Sequence, residues 1–234
     1  MKQVGVVGAT GFIGGNLVNY LSCCADIHVE PYLRIRNGLE SFIKRSDIIV
    51  HAAGVNRGTY EEMVDSNVNF LFKVSELCNK HQKKLIYIGT MYNKKDSYGF
   101  TKQIAESIVK SHIDNFNCNF YVMRLPNVIG RGCKPYYNSF LTTVLYEYSR
   151  GNKDVKLKIK DINESITFVT VGDVSEAVFD LIVRDNYYKI FDYPQRRSMS
   201  WGSIIELLAA PCFDANEDLL DLLEYYKDYD NLKK

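Results

Sequence analysis

Tyr98 and Lys102 stand four residues apart in the run Tyr98-Gly99-Phe100-Thr101-Lys102, and on a helix that interval places both side chains on one face. A phenol with an ordinary pKa of about 10 exchanges protons poorly near neutrality, and a neighbouring ammonium favours its phenolate. The pair therefore reads as a proton relay, Tyr98, with Lys102 as its electrostatic support. Thr90 lies upstream at the end of an expected strand, placed to hydrogen-bond a carbonyl oxygen that gains charge as hydride arrives. In a chain with 17 tyrosines the Tyr-Lys interval alone says little, and a plain surface helix shows it equally well. Its meaning comes from a second motif.

That motif is Gly8-Ala9-Thr10-Gly11-Phe12-Ile13-Gly14, which directly follows the apolar run 4–7 and opens a helically periodic segment over 12–21. Gly8 permits a tight turn, Gly11 lets the backbone approach a pyrophosphate closely, and Gly14 allows helix to pack on strand. The helix start at Thr10, Phe12 and Ile13 offers free N–H donors and positive potential, so a dinucleotide is the ligand that fits. The next strand runs Val29-Glu30-Pro31-Tyr32-Leu33-Arg34-Ile35-Arg36. An acid at its end selects NAD(H), whereas a 2′-phosphate prefers arginine. Arg34 and Arg36 favour NADP(H); Glu30 favours NAD(H) if the strand ends earlier. Glycine turn, strand-end Thr, then Tyr and Lys on the following helix is an order that suits hydride transfer at a carbonyl.

The elements that must position these residues alternate. Strands are expected at 4–7, 27–33, 47–52, 84–88 and 119–124, and helices at 12–21, 39–44, 60–80 and 98–110. Such alternation specifies an α/β fold, a Rossmann-type doubly wound parallel sheet with helices on both faces. Beyond residue 124 the pattern loosens into a Pro- and Gly-containing loop over 125–138, a helix at 139–149, a strand at 166–170, a helix at 173–183, a strand at 188–191 and a helix at 203–208. In the final run 214–234, Leu219, Leu220, Leu222 and Leu223 form one helical face, which packs on the parent domain or makes a homodimer contact. The expectation is one domain over 1–234, with 1–124 mainly the dinucleotide core and 125–234 mainly a small C-terminal substrate-binding lobe.

Composition narrows the function classes. The 234 residues are 46% hydrophobic, enough for a packed core, and 29 Lys plus Arg against 28 Asp plus Glu leave a net charge of +1. No broad basic field exists for nucleic acid or an anionic membrane. No apolar run approaches roughly 18 residues and no leader pattern opens the chain, so a cytoplasmic protein is expected. The six cysteines show no C-x-x-C pair, and the four histidines are scattered, so no metal site is expected and the thiols read as reduced. The adjacent Cys23 and Cys24 read as apolar filler at a helix end.

Taken together, these motifs resemble the extended short-chain dehydrogenase/reductase family, in the NAD-dependent epimerase/dehydratase superfamily, over nearly the whole chain. Three segments, His51-Ala-Ala-Gly-Val-Asn-Arg57, Ser97-Tyr-Gly-Phe-Thr-Lys102 and above all residues 124–139, look like the reductase half of CapF/WbjC-type enzymes of bacterial capsule and O-antigen synthesis. The resemblance implies NADPH-dependent reduction at C4 of a UDP-linked 2-acetamido-4-keto-2,6-dideoxyhexose. It implies Thr90, Tyr98 and Lys102 as the catalytic set with Asn67 beside them. It also implies Ala52, Ala53, Gly54 and Leu125 along the cofactor, and Asn56, Arg57, Thr90, Asn127, Lys134, Tyr137 and Asn138 toward the sugar nucleotide.

Departures are visible. Thr90 replaces the usual Ser and keeps the hydroxyl. Gly132 stands where the family often carries a large aromatic residue, which implies a wider sugar pocket. The two-domain relatives also carry a C-terminal C3-epimerising cupin that is not expected here, so if the product is the same, the resemblance implies a separate epimerase for that step. A 4,6-dehydratase usually follows its catalytic Thr with Asp-Glu, whereas Met91, Tyr92, Asn93 and Lys94 follow Thr90. An NAD-retaining nucleotide-sugar epimerase and a non-catalytic NADP-sensing protein are the alternatives; the second is expected to lose Thr, Tyr or Lys, all of which are present.

Overall fold

The computed structural model describes residues 1–33, 38–92, 95–184, 189–209 and 217–229. Arg34, Arg36 and the start of the strand expected at 188 lie outside them. The chain divides into two compact units, one of Met1–Pro126 with Gly172–Pro194, the other of Asn127–Val171 with Gln195–Lys234.

The first unit is built on six parallel strands in the order β2-β1-β3-β4-β5-β8. They are β1 Lys2–Val7, β2 Ile27–Pro31, β3 Ile48–His51, β4 Lys84–Thr90, β5 Phe120–Leu125 and β8 Ile190–Asp192. Four consecutive residues are buried at the end of β1, four in β3 and six in β4. Unbroken burial of this kind belongs to strands covered on both faces, which explains why the sequence shows continuous apolar runs there. The helices are α1 Phe12–Ser22, α2 Leu39–Arg45, α3 Tyr60–Met63, α4 Phe70–Lys80, α5 Ser97–Phe116 and α7 Val171–Val183. The seven-residue α2 carries the chain from β2 past β1, so β3 pairs with the opposite side of β1. The order reverses between β1 and β3, and the crevice at such a reversal, at the carboxyl ends of the strands, is where doubly wound sheets bind ligands.

The helix expected over 60–80 is interrupted. α3 starts with a capping box, the Thr59 hydroxyl accepting from the Glu62 N–H while the Glu62 carboxylate accepts from the Thr59 N–H. A π-helical segment, Val64–Asn69, then joins α3 to α4. The inserted residue turns Asn67 inward, where it is 2% exposed. α5 begins at Asp96, whose carboxylate caps the Gly99 N–H at 2.8 Å, and runs six residues beyond its expected end before Asn117 closes it with φ +51°.

The second unit holds α6 Phe140–Ser149, α8 Trp201–Ala209, α9 Glu217–Lys227 and a three-stranded sheet in the order β6-β7-β9. In it β7 Ser165–Thr170 pairs parallel with β6 Asn127–Ile129 and antiparallel with β9 Arg197–Ser200. β6 and β9 correct the sequence reading, which treats their segments as irregular: strands of three and four residues are too short to show a period, and pairing with β7 makes them strands. Along α9, Leu219 and Leu222 are buried, and Leu220 and Leu223 pack partly buried against the same core. Cys23 is exposed and Cys24 half-buried, each thiol donating to a carbonyl one turn back, so neither is the apolar filler expected. Among the described residues no helix is long and apolar enough to cross a membrane, and no His/Cys/Asp/Glu cluster suits a metal ion.

Candidate active site

The glycine turn leaves β1 at Val7. Gly8 has φ +87°, and a Cβ on it would lie 2.5 Å from the Ala53 nitrogen. The turn thus sits directly against the backbone leaving β3, a neighbour the sequence did not reveal. A Cβ on Gly14 would lie 2.2 Å from the Gly8 oxygen, so α1 packs on the strand end as its glycine suggested. Gly11 occupies the cap position of α1 with no side-chain cap, and the first turn holds no acid. Thr10 and Gly11 are exposed while Phe12 and Ile13 are half-buried. The uncapped N–H groups of this first turn are donors a pyrophosphate can take, so these residues fit a dinucleotide. Glu30, the residue that weighed toward NAD(H), is half-buried and ion-paired to Arg45 at 2.8 Å.

From β3 the chain runs through Ala52 and Ala53, half-buried, and Gly54, exposed. The Ala52 N–H donates to the Val7 carbonyl at 2.9 Å. Asn67 pins the next residue of this loop: its Oδ1 accepts from the Val55 N–H at 2.8 Å, and its Nδ2 donates to the Val55 carbonyl at 2.9 Å and the Thr101 hydroxyl at 3.0 Å. Both amide donors are therefore engaged, and Thr101 in turn donates to the Tyr98 carbonyl at 2.9 Å. Asn67 ties the post-β3 loop to the first turn of α5, which makes it a positioning residue. Beyond Val55, Asn56 is half-buried and Arg57 exposed.

The side chains of Thr90, at the end of β4, and Tyr98, in the first turn of α5, come close enough for the Thr90 hydroxyl to act on the Tyr98 phenol. The electrostatics differ from the sequence expectation. Burial raises the Tyr98 phenol above its ordinary value, the Thr90 hydroxyl opposes this, and the Asp96 carboxylate adds to it. Lys102 does not pull it down. Its ammonium is buried, donates to the Ile88 carbonyl at 3.1 Å and lies 4.4 Å over the Tyr87 ring. Desolvation brings Lys102 down to about 8, with Glu106 opposing. The physical reason is that both groups pay desolvation in the same interior, which favours neutral phenol and neutral amine alike. Tyr92 and Asp96 were missed at the sequence level: the Tyr92 ring lies 5.6 Å from that of Tyr98, and its hydroxyl donates to Asp96 at 2.6 Å. An Asp just before the Tyr-x-x-x-Lys run is the N-cap signal that points to it. Leu125 is buried at the end of β5, opposite Thr90 in register.

Beneath this set lies His51, fully buried, with neither ring nitrogen bonded outside its own backbone and the Phe70 and Tyr87 rings each 5.9 Å away. Burial, then the Lys102 charge, lowers it to about 3 from 6.5. Above pH 6.5 folded and unfolded chains both carry it neutral. As pH falls from 6.5 toward 3 only the unfolded chain takes up the proton, so stability is lost at about 1.4 kcal/mol per pH unit from this group. Urea unfolding at pH 7 and pH 5 should show a smaller drop for His51→Leu than for the parent; equal drops would remove His51 from the acid response.

The remaining candidates lie in the second unit. Asn127, exposed on β6, donates to the Thr167 carbonyl at 3.0 Å. Lys134 and Tyr137 are exposed, and Asn138 uses its side-chain oxygen to accept from the Lys134 N–H at 2.7 Å. Gly132, where a wider pocket was expected, has its N–H donating to the Tyr225 hydroxyl at 3.1 Å.

The family described as NAD dependent epimerase/dehydratase matches residues 4–190. UDP-2-acetamido-2,6-beta-L-arabino-hexul-4-ose reductase of Pseudomonas aeruginosa is 32% identical over 178 residues, 74% of this chain and 47% of that protein. The chain thus spans about half the length of this curated relative. The crystal structure of the capsular polysaccharide assembling protein CapF from Staphylococcus aureus superposes with a TM-score of 0.78 at 26% identity, covering 97% of this chain and 66% of that one. RMD from Pseudomonas aeruginosa, complexed with NADPH, shares the fold with a TM-score of 0.73 at 18% identity, over 89% of this chain and 82% of that one.

Proposed function

The chain belongs to the NAD dependent epimerase/dehydratase family, and from that membership we propose that it reduces the C4 ketone of a UDP-linked 2-acetamido-2,6-dideoxy-4-ketohexose with NADPH. The observation that carries this reading is the convergence of the Tyr98 phenol, in the first turn of α5, with the Thr90 hydroxyl at the end of β4. A phenol beside a strand-end hydroxyl is placed to protonate an alkoxide, which suits reduction. The relative most informative about substrate, 32% identical, is named as a reductase of such a 4-ulose.

NADPH, when bound, supplies the hydride to C4. Thr90 donates a hydrogen bond to the ketone oxygen as it gains charge. Tyr98 delivers its proton to that oxygen and completes the alcohol, and Lys102, one turn further along α5 and still largely protonated near neutrality, is the cation that would turn from the Ile88 carbonyl toward the phenolate once the proton has left. The uncapped start of α1 holds the pyrophosphate, and Arg34 and Arg36 take the 2′-phosphate. Lys134, Tyr137, Asn138 and Asn127 meet the sugar nucleotide. A cytoplasmic setting and a homodimer accompany this reading.

The test is the fall in NADPH absorbance with UDP-linked 4-keto-6-deoxy-HexNAc sugars, with and without a separate C3-epimerase, and with NADH in parallel. Oxidation that prefers NADPH is expected. A protein that carries NAD through purification and interconverts sugars with no net oxidation would instead be an epimerase, and one that binds NADPH but turns over no sugar would overturn the reductase reading.

A further inference from the structure

The loop over 131–138 has a shape it cannot hold by itself. Gly132 and Tyr136 have φ +89° and +60°, and Gly130 just before them has φ +149°. A bulky residue in the left-handed region costs of order 1–3 kcal/mol and persists only where its surroundings enforce it. On one side α6 supplies two hydroxyls: Thr143 accepts from the Tyr136 N–H at 2.8 Å, and Thr142 lies 3.0 Å from the Cys133 thiol. On the other side stands α9. The Tyr226 hydroxyl, fully buried, donates to the Cys133 carbonyl at 2.8 Å. The adjacent Tyr225 hydroxyl accepts from the Gly132 N–H at 3.1 Å, and its ring lies under the Arg131 guanidinium at 5.7 Å.

α9 is fixed in turn. Tyr146 of α6 meets the Tyr226 ring edge-on at 6.3 Å and the Tyr229 ring at 5.9 Å. Burial holds the Tyr226 phenol far above its ordinary value, so it remains a donor throughout the physiological range. What the strapped loop presents outward is chemistry for an anion with an attached ring: Lys134 is exposed with no ion pair among the described residues, and Tyr137 stands beside it at 40% exposure.

We propose that α9 is a clamp on the sugar-nucleotide loop, with Tyr226 and Tyr225 as positioning residues that set the presentation of Lys134 and Tyr137 to the diphosphate and base of a UDP-sugar. The inference rests on the proposed reductase reading for its ligand class. No residue of the clamp lies in the first unit, where the dinucleotide turn is, so the two affinities should separate.

The experiment measures UDP binding by calorimetry, KM for the UDP-linked 4-keto sugar and NADPH affinity, in the full chain and in Tyr226→Phe and Tyr225→Phe. For Tyr226→Phe, which leaves the Cys133 carbonyl buried without its donor, UDP affinity should fall and sugar KM should rise about tenfold, while kcat and NADPH affinity stay within about twofold. If Tyr226→Phe does not fold, the half-exposed Tyr225→Phe carries the test, with a smaller shift in the same direction. UDP affinity unchanged in folded variants overturns the clamp, as does a parent that binds no UDP. A parent that binds UDP but oxidises no NADPH defeats only the reductase reading, and the UDP affinities of the variants still decide the clamp.

Discussion

Tyr98→Phe should lower NADPH-dependent turnover by about 10² to 10⁴-fold, the range that a positioned proton donor supplies, while leaving NADPH affinity nearly intact. The substitution removes one oxygen from a half-buried side chain whose ring lies against Tyr92, so the fold is not at risk and the loss reads on chemistry. The partner hydroxyl of Thr90 remains, able to polarise the ketone but with no relay behind it. Stopped-flow absorbance with saturating sugar nucleotide checks this. If the variant keeps more than about a tenth of the parent rate, the alkoxide takes its proton elsewhere, and Thr90 or a water becomes the donor to test next.

Gly8→Ala should damage both fold and cofactor binding. The added methyl would sit 2.5 Å from the Ala53 nitrogen, 2.7 Å from its Cα and 2.8 Å from the Ala52 carbonyl carbon, all backbone atoms of the segment leaving β3. Overpacking of this kind costs about 1–3 kcal/mol, and the left-handed conformation at φ +87° adds about 1–2 kcal/mol for any residue with a Cβ. The thermal midpoint should drop by roughly 10 °C for a chain of this size. If the chain relieves the clash by opening the turn, the helix start moves from its place at the switch between β1 and β3, and NADPH affinity should fall by more than about tenfold. Thermal unfolding and NADPH titration of the same preparation separate the two effects. An alanine variant that melts with the parent and binds NADPH equally well would mean that the turn and the β3 exit are not in contact.

These two positions show how differently the sequence discloses a site. Gly8 is legible because a tight strand-to-helix turn needs a residue that tolerates positive φ, and the run around it carries both its periodicities. Tyr98 and Lys102 are legible as a pair because a four-residue interval has a fixed meaning on a helix. Their ionisation was not legible. Spacing predicted an ammonium that draws the phenol toward phenolate, whereas the folded chain buries both, turns Lys102 to the Ile88 carbonyl and leaves Tyr98 protonated. Asn67 could be named from the resemblance, yet its bonds to Val55 and Thr101 exist only because a π-helical segment rotates it inward.

The sequence by itself determined the α/β class, the strands that lie buried on both faces, the glycine turn and the Thr-Tyr-Lys order, because each depends on local sterics or on a period that neighbouring residues carry. Only the tertiary structure decided the strand order that sets β1 beside β3, the short strands β6 and β9, the direction in which burial moves Tyr98 and Lys102, and the hold of α9 on the 131–138 loop. All of these are pairings between distant segments: Gly132 and Tyr225 meet across 93 residues of chain. Their energies come from desolvation and contact in the folded interior, and no local pattern encodes which segments will share it.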